Sequence, residues 1–264
     1  MVGGGAYLAI IQLNSSEVLV RERCSAVVGT DTYELAPEQA ANASTIAGVA
    51  VTRGLPPRAA SIALATAVQE SGLRNLDYGD QAGPDSRGLF QQRPSQGWGS
   101  EDQVRDPIYA AGAFYDALVT VPGYQTLPIT EAAQLVQRSA YPDAYADHEP
   151  EGRAFASALT GQSPASLNCI LRKPEESGNP AAVTERFAAV FPTLQTGTTE
   201  EGVVATASGS VGWAAAQFAV AHAKDLGITS VSHAGLQWNR SDGGWTTTET
   251  ETGQVLITLA EVAA

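Results

Sequence analysis

Proline and glycine divide residues 37–72 into two segments, each with the apolar spacing of a buried helix. The first segment, PEQAANASTIAGVAVTRG, starts at Pro37, and the second, RAASIALATAVQESG, follows Pro57 and stops at Gly72. Proline suits the first turn of a helix because its missing N–H would be unpaired there, and glycine tolerates the left-handed backbone that ends many helices. We therefore predict two consecutive helices, with Glu70 in the last turn of the second.

Helical spacing of apolar residues returns after a long polar stretch at residues 73–99. That stretch is rich in Gly, Asp, Asn and Pro, so we predict a loop, and long ordered loops usually have a function. The further predicted helices cover residues 106–121, 129–139 and 144–160. Residues 37–162 are therefore expected to form an all-α domain.

The composition changes at residues 163–180, which are polar and rich in Pro and Gly and predict a linker. Residues 181–264 then combine helical and alternating patterns, which predicts a smaller α+β domain with its strands gathered at the end. Its predicted elements are helices at 181–191 and 211–226 and strands at 229–232, 235–238 and 254–259. The expected fold class is α+β overall, with the all-α domain first.

Residues 1–36 are predicted to be an N-terminal arm. Residues 2–13 (VGGGAYLAIIQL) are mostly apolar but shorter than the roughly 20 residues that a membrane-spanning helix needs, and no basic residue precedes them. They are interpreted either as the end of a membrane or signal segment whose beginning is missing, or as a strand. Cys24 and Cys169 flank the helical domain and are a candidate disulfide; the alternative is two separate buried thiols.

Charge and motif content exclude several classes of function. The formal net charge is -13 and no run of Lys or Arg occurs, so nucleic acid is not an expected partner. The three histidines, His148, His222 and His233, lack metal-ligand spacing, so neither a metal nor another cofactor is expected. Neither G-x-S-x-G nor C-x-x-C is present, which argues against acyl-transfer or thiol chemistry.

Glu70 has surroundings that suit a general acid. A carboxylic acid that must donate a proton near neutral pH is kept protonated by apolar surroundings, and the string ALATAV precedes Glu70. The dipole at a helix C-terminus disfavours the carboxylate in the same direction. A Glu near a helix end is nevertheless most often a solvated surface residue, so position alone does not assign a role.

The string AVQESGL around Glu70 is followed by GLFQQRPSQGWG, whose Gly88 lies 18 residues after Glu70. Together they resemble the lytic transglycosylase pattern, in which a helix ends in Glu-Ser and a later Gly-Leu-(Met/Phe)-Gln lines the cleft. The resemblance extends in weaker form over about residues 40–162, and also to the lysozyme-like domains of actinobacterial cell-wall enzymes. It implies that Glu70 is the catalytic acid, that Ser71 orients it or the sugar, and that Gln91 contacts the saccharide.

The same resemblance implies a Tyr from a later helix that hydrogen-bonds near the Glu. The string RSAYPDAYADH supplies Tyr141, the first choice, and Tyr145; the alternative for each is ordinary packing. Further expected saccharide contacts in the loop are Gln92, Phe90 and Trp98, because loop aromatics stack on sugar rings. Phe90 is alternatively a core residue.

The loop also offers three candidates for a second carboxylate, Asp77, Asp80 and Asp85. A hydrolase needs such a group as nucleophile or base, whereas a transglycosylase uses the muramic 6-hydroxyl as the attacking group. Each Asp also suits an ordinary turn, so the transglycosylase is favoured over a muramidase.

We therefore expect an exported, extracellular or wall-associated lytic transglycosylase that cleaves the MurNAc-GlcNAc β-1,4 bond of peptidoglycan. The alternatives are a hydrolytic muramidase and a catalytically silent protein that binds the wall or assembles on it. A missing N-terminal segment is a candidate membrane tether, and the C-terminal domain a candidate contact to cell-wall or secretion machinery. Trp213, Trp238 and Trp245 are either a binding face of that domain or, as favoured, core aromatics.

Overall fold

The computed structural model describes residues 20–81, 83–137, 142–250 and 253–262. Helices and antiparallel sheets make the protein α+β overall. Its α-helices are α1 Pro37–Thr52, α2 Pro57–Ser71, α3 Glu101–Arg105, α4 Pro107–Leu118, α5 Ile129–Gln137, α6 Glu149–Leu159, α7 Pro180–Val190 and α8 Gly209–Ala221. Its strands are β1 Arg23–Val28, β2 Asp31–Leu35, β3 Leu167–Ile170, β4 Gln195–Thr198, β5 Gly202–Thr206, β6 Ile228–His233, β7 Leu236–Asn239, β8 Gly244–Thr247 and β9 Gln254–Leu259.

Helix α2 ends where its sequence predicts. Gly72 has a φ of 60° and donates its N–H to Val68 O at 2.8 Å, while Leu73 N–H reaches Ala67 O at 3.1 Å. This left-handed cap satisfies carbonyls that the last turn leaves unpaired, and it stops the helix directly after Ser71. Glu70 therefore lies in the last turn, at the start of the loop.

Helix α6 approaches α2 closely at Gly152. A Cβ at that position would lie 2.9 Å from Ala65 N and 3.0 Å from Ser61 O, so only glycine allows this separation without displacement. The segment before α6, predicted as helix from residue 144, is instead a 3₁₀ helix, Pro142–His148. The close packing of α6 on α2 brings this 3₁₀ helix to the end of α2.

A three-stranded antiparallel sheet of order β2-β1-β3 joins the N-terminal arm to the stretch predicted as a linker. Neither β1 nor β2 was expected in residues 1–36, and β3 lies within the predicted linker 163–180. Cys24 and Cys169 are opposite each other in the β1–β3 register and form a disulfide. A polar, Pro-rich stretch can thus contain a short buried strand when a cross-strand partner pairs with it.

The second sheet is antiparallel, with strand order β4-β5-β9-β6-β7-β8. Strands β4, β5 and β8 were not predicted, and two of them precede α8, so the strands are not all gathered at the end. Helix α8 is five residues shorter at its C-terminal end than the predicted 211–226. The buried face of β9 presents Val255, Ile257 and Leu259 to the core, where α8 packs.

Helix α8 also packs on α1 and α6, and Gln217 is the polar link in this contact. Its side chain is fully buried; Nε2 donates to Ala158 O at 2.6 Å, and Oε1 accepts from the N–H of Leu167 at 2.7 Å. A buried amide whose donors and acceptor are all used costs little to bury and fixes the orientation of its neighbours. Gln217, on α8, therefore links α8 to the end of α6 and to β3.

Candidate active site

Glu70 is partly buried at the C-terminal end of α2, and its side chain lines a large cleft. The Tyr145 hydroxyl, from the fully buried ring of the 3₁₀ helix, donates to Glu70 Oε1 at 2.7 Å. Burial raises the pKa of Glu70 above its usual value, and hydrogen bonds from Tyr145 and Gln137 oppose that rise in part. These surroundings give a carboxyl that holds its proton to higher pH than a solvated one.

Ser71 ties the end of α2 to the loop that follows. Its hydroxyl contacts Leu89 O at 2.7 Å and Ala67 O at 3.0 Å. One step along the loop, Gln137 Nε2 at the end of α5 donates to Phe90 O at 2.8 Å. Two consecutive carbonyls of the GLFQ string are thereby anchored beside Glu70.

The cleft that Glu70 lines has a volume of about 1130 Å³. Its walls come from the end of α2, the long loop, and the C-terminal parts of α4 and α5. The lining residues are Gln69, Glu70, Tyr78, Gly79, Asp80, Gly83, Ser86, Gln91, Gln92, Arg93, Gln96, Trp98, Ala117, Thr120, Val121, Leu135, Val136 and Gln137. This is large enough for an extended ligand such as a saccharide chain.

The structure brings Gln91, Gln92 and Trp98 to this cleft, as the sequence predicts. Gln91 adopts a φ of 48°, an unusual backbone for a residue with a Cβ, and its Nε2 donates to Gly88 O at 3.2 Å. Gln92 is almost fully buried and donates to Ala110 O at 3.0 Å, so it mainly holds the loop on α4.

Phe90 requires a correction, since the sequence analysis expected it among the saccharide contacts of the cleft. It is 1% exposed, does not line the cleft, and stacks on Phe114 with ring centroids 4.7 Å apart. The alternative considered for it, a core residue, therefore describes it. An apolar side chain of the loop is used to fix the loop to α4, because that burial stabilises the loop more than solvent exposure would.

Tyr145, one of the two candidate tyrosines, contacts Glu70. Tyr141, the first choice, lies outside the described residues. Residues 2–13 of the N-terminal arm also lie outside them. The two tyrosines are four residues apart, and sequence spacing alone did not favour the second. The packing of the 3₁₀ helix points the Tyr145 ring into the core.

The three candidate second carboxylates lie in different surroundings. Asp77 is exposed and does not line the cleft, while Asp80 does line it and accepts the N–H of Gly83 at 2.8 Å within a turn. Asp85 accepts from Ser95 N at 3.0 Å and pairs with Arg93 Nε at 2.9 Å. Hydrogen bonds from Ser95, and then the one from Arg93, hold the pKa of Asp85 well below its usual range.

Among the cleft residues that the sequence did not predict are Gln137 and Tyr78. Gln137 lines the cleft and hydrogen-bonds the loop, yet a Gln at a helix end gives no signal of its own. Tyr78 is 63% exposed on the cleft wall. The exposure of Tyr78 could have been predicted from the sequence, because it lies in the Asp-Tyr-Gly-Asp turn, and an aromatic side chain in such a turn does not pack in the core.

A second cleft of about 830 Å³ lies where α1 and α4 meet α7 and the end of α8. Three of its charged groups form ion pairs: Arg186 contacts Asp225 at 3.2 Å within the cleft, and Lys224 binds Glu22, which does not line it. His222 is buried there, with Nδ1 beside both Arg186 and Asp225. The Glu70 cleft is the better candidate active site because it alone of these two combines a raised carboxyl pKa with a donor aimed at that carboxyl.

The remaining candidates take structural positions. Trp213 and Trp238 are buried, and Trp245 is partly buried with Nε1 donating to Leu167 O at 2.9 Å, so the favoured core interpretation describes them. His148 Nε2 contacts Gln69 Oε1 at 3.0 Å, and His233 Nδ1 contacts Gln254 O at 2.8 Å. Within the described part of the chain, no group of three His, Cys, Asp or Glu side chains is placed to hold a metal ion.

Comparison with protein-family models gives no match for this chain, and no curated protein matches its sequence. None of the helices in the described ranges is long and apolar enough to cross a membrane. Inference about function therefore depends on the cleft residues and their geometry.

Proposed function

We propose that the protein cleaves the β-1,4 bond between N-acetylmuramic acid and N-acetylglucosamine of peptidoglycan, as a lytic transglycosylase with Glu70 as its acid and base. One observation carries the proposal: a partly buried carboxyl of raised pKa lies in a cleft of about 1130 Å³ and accepts a 2.7 Å hydrogen bond from Tyr145. A proton donor in this state suits glycosidic cleavage near neutral pH.

The proposed reaction needs no other acid. Glu70 donates its proton to the bridging oxygen, the C1–O bond breaks, and the N-acetylglucosamine leaves with a free 4-hydroxyl. The muramic 6-hydroxyl then attacks C1 and gives its proton to the Glu70 carboxylate, which closes a 1,6-anhydro ring and restores the acid. Because Tyr145 O–H occupies Oε1, Oε2 is the oxygen that holds the transferable proton.

A hydrolytic muramidase remains the second candidate, since Asp80 is the one other carboxylate among the described cleft-lining residues. Asp80 accepts the N–H of Gly83, a bond typical of a turn, and its exposure leaves it solvated. The transglycosylase therefore predicts that Asp80→Asn keeps activity within about threefold of the parent, whereas loss of a hydrolytic base should cost about 10²-fold or more.

We further propose that residues 37–162 are a lysozyme-like catalytic domain and that residues 181–264 are an accessory domain for substrate or partner contact. Export to the wall is proposed on the Cys24–Cys169 disulfide, which persists in oxidising compartments. A catalytically silent wall-binding protein is disfavoured, because binding alone gives no reason to bury a carboxyl and raise its pKa.

The deciding experiment is digestion of purified peptidoglycan followed by mass analysis of the released muropeptides. We expect 1,6-anhydromuramic ends from the parent protein, none from Glu70→Gln, and parental release from Glu175→Gln, a control at an exposed carboxylate. Reducing ends would establish the muramidase instead. Retained binding to the wall without any release would rule out both enzymes.

A further inference from the structure

Two large apolar side chains that line the Glu70 cleft are exposed. Tyr78 is 63% exposed, the largest fraction among the large apolar side chains of the described residues, and Leu135 on α5 is 51% exposed. Exposed apolar surface inside a cleft marks a place where a ligand binds. Of the two side chains, only Tyr78 has a flat ring, so it is the one that suits the flat face of a ligand.

The backbone on both sides of Tyr78 is held in place. Two residues before it, Leu76 O accepts the N–H of Gly88 at 2.7 Å, and two residues after it, Asp80 Oδ1 accepts the N–H of Gly83 at 2.8 Å. The turn also packs tightly, because a Cβ on the residue after Tyr78 would lie 1.9 Å from Gly83 O. The ring is therefore presented on a fixed turn, and a ligand that covers it has little backbone to order.

The polar part of the cleft lining indicates the class of ligand. Arg93, the one cation among the described lining residues, pairs with Asp85 at 2.9 Å, while Glu70 and Asp80 are carboxyl groups, so the lining does not favour an anion. A carboxamide is uncharged and both donates and accepts hydrogen bonds, as a sugar hydroxyl does. Five glutamines supply such groups: Gln69, Gln91, Gln92, Gln96 and Gln137. These side chains favour a neutral ligand with many hydroxyl groups.

We propose that Tyr78 is a substrate-binding residue whose ring stacks on the apolar face of one N-acetylhexosamine of the glycan strand that Glu70 cleaves. This rests on the proposed function. Both side chains line the same cleft of about 1130 Å³, so one extended ligand can contact both. One face of a pyranose ring presents C–H groups, which an aromatic ring covers without blocking the hydroxyls. Trp98 also lines the cleft, but it packs partly on the core and has less free surface.

The test is calorimetric binding of peptide-free glycan strands to Glu70→Gln, a background in which the ligand should not be consumed. Adding Tyr78→Ala should weaken binding about tenfold, the size expected for one aromatic contact. Tyr78→Phe keeps the ring and should bind within about twofold of the background. Leu256→Ala is the control, because it removes an exposed apolar side chain of β9 that does not line the cleft; its binding should not change.

Steady-state cleavage of the same soluble strands separates binding from chemistry. A contact that is made equally with the bound substrate and the transition state changes KM and not kcat. In the otherwise unchanged protein, Tyr78→Ala should therefore raise KM about tenfold and keep kcat within about twofold of the parent. A lower kcat at unchanged KM would contradict the stacking role.

Unchanged glycan binding in folded Tyr78→Ala would overturn the stacking role, even if the parent releases anhydromuropeptides. Equal losses in Tyr78→Phe and Tyr78→Ala would assign the contact to the hydroxyl and overturn it too, as would a loss seen only with strands that carry stem peptides. Weakened glycan binding by Tyr78→Ala, in a protein whose parent cleaves no wall, would support stacking and overturn the proposed cleavage. The binding measurement therefore separates the failure of one proposal from the failure of the other.

Discussion

Replacing Glu70 with glutamine separates two consequences of its surroundings, one for activity and one for stability. The change keeps the size of the side chain and leaves an oxygen to accept the 2.7 Å bond from Tyr145. What disappears is the transferable proton and the ionisable charge. General acid catalysis contributes about 10² to 10⁴ in rate, so muropeptide release should fall by at least about 10²-fold.

The effect on stability has the opposite sign at neutral pH. The pKa of Glu70 is raised by burial, so the folded protein binds this proton more tightly than the unfolded chain, in which a Glu titrates near about 4.3. Glu70 therefore contributes fully to the free energy of unfolding of the parent protein below that value. This contribution is lost as the pH rises through the pKa of Glu70 in the folded state. Each unit of difference between the folded and unfolded pKa values of Glu70 amounts to about 1.4 kcal/mol of stability lost at high pH. A glutamine at position 70 does not titrate and does not lose this stability.

We therefore expect Glu70→Gln to be more stable than the parent at pH 7 to 8, and the difference to vanish below about pH 4. Urea unfolding of both proteins at several pH values measures this directly, with Glu175→Gln as the exposed control. Equal stability at every pH would contradict the raised pKa. Retained release of muropeptides would show that Glu70 is not the acid.

Three further changes test other parts of the site. Tyr145→Phe removes a hydrogen bond to a carboxylate worth about 1.5 to 3 kcal/mol, so the alkaline limb of wall digestion should move upward; an unmoved limb would mean that this bond is not made in solution. Gln91→Gly relieves a left-handed φ of 48° and should raise the free energy of unfolding by up to about 1 kcal/mol, while binding to isolated glycan strands weakens. Replacing Cys24 and Cys169 by Ser opens the link between β1 and β3 and should lower the free energy of unfolding by about 2 to 5 kcal/mol, measured by urea titration without reductant.

Local signals predicted the helices that form the site, because each depends on residues close in sequence. Pro57 and Gly72 bound α2 through backbone preferences that no tertiary contact has to supply. The strands β4 and β5 depend instead on pairing: β5 pairs with β9, about 50 residues later in the chain, and the polar string TGTTEEG gives little alternation of its own. Their absence from the prediction follows from this dependence on distant partners.

The contacts of Glu70 were harder to predict than its position at the end of α2. The residues next to Tyr145 in sequence give no sign of its contact, and the close approach of α6 to α2 at Gly152 brings Tyr145 to Glu70. Gln137 belongs to a third segment, and a polar residue at a helix end is usually solvated. Side chains that act through tertiary packing leave no periodic or compositional trace, so a single sequence does not reveal them.

The two strings that carry the resemblance are joined by a direct contact, and this gives their spacing a physical reason. Ser71 and Leu89 are 18 residues apart, and the Ser71 hydroxyl meets Leu89 O at 2.7 Å. A glycine at the end of α2 turns the chain out into the loop, and Phe90 buried against Phe114 brings it back, so the second string returns to the residue after Glu70. A loop that failed to return would leave Ser71 and Gln137 without the loop carbonyls that they bind. The pattern therefore describes one assembled unit, in which the helix end supplies Glu70 and the later string fixes the wall of the cleft around it.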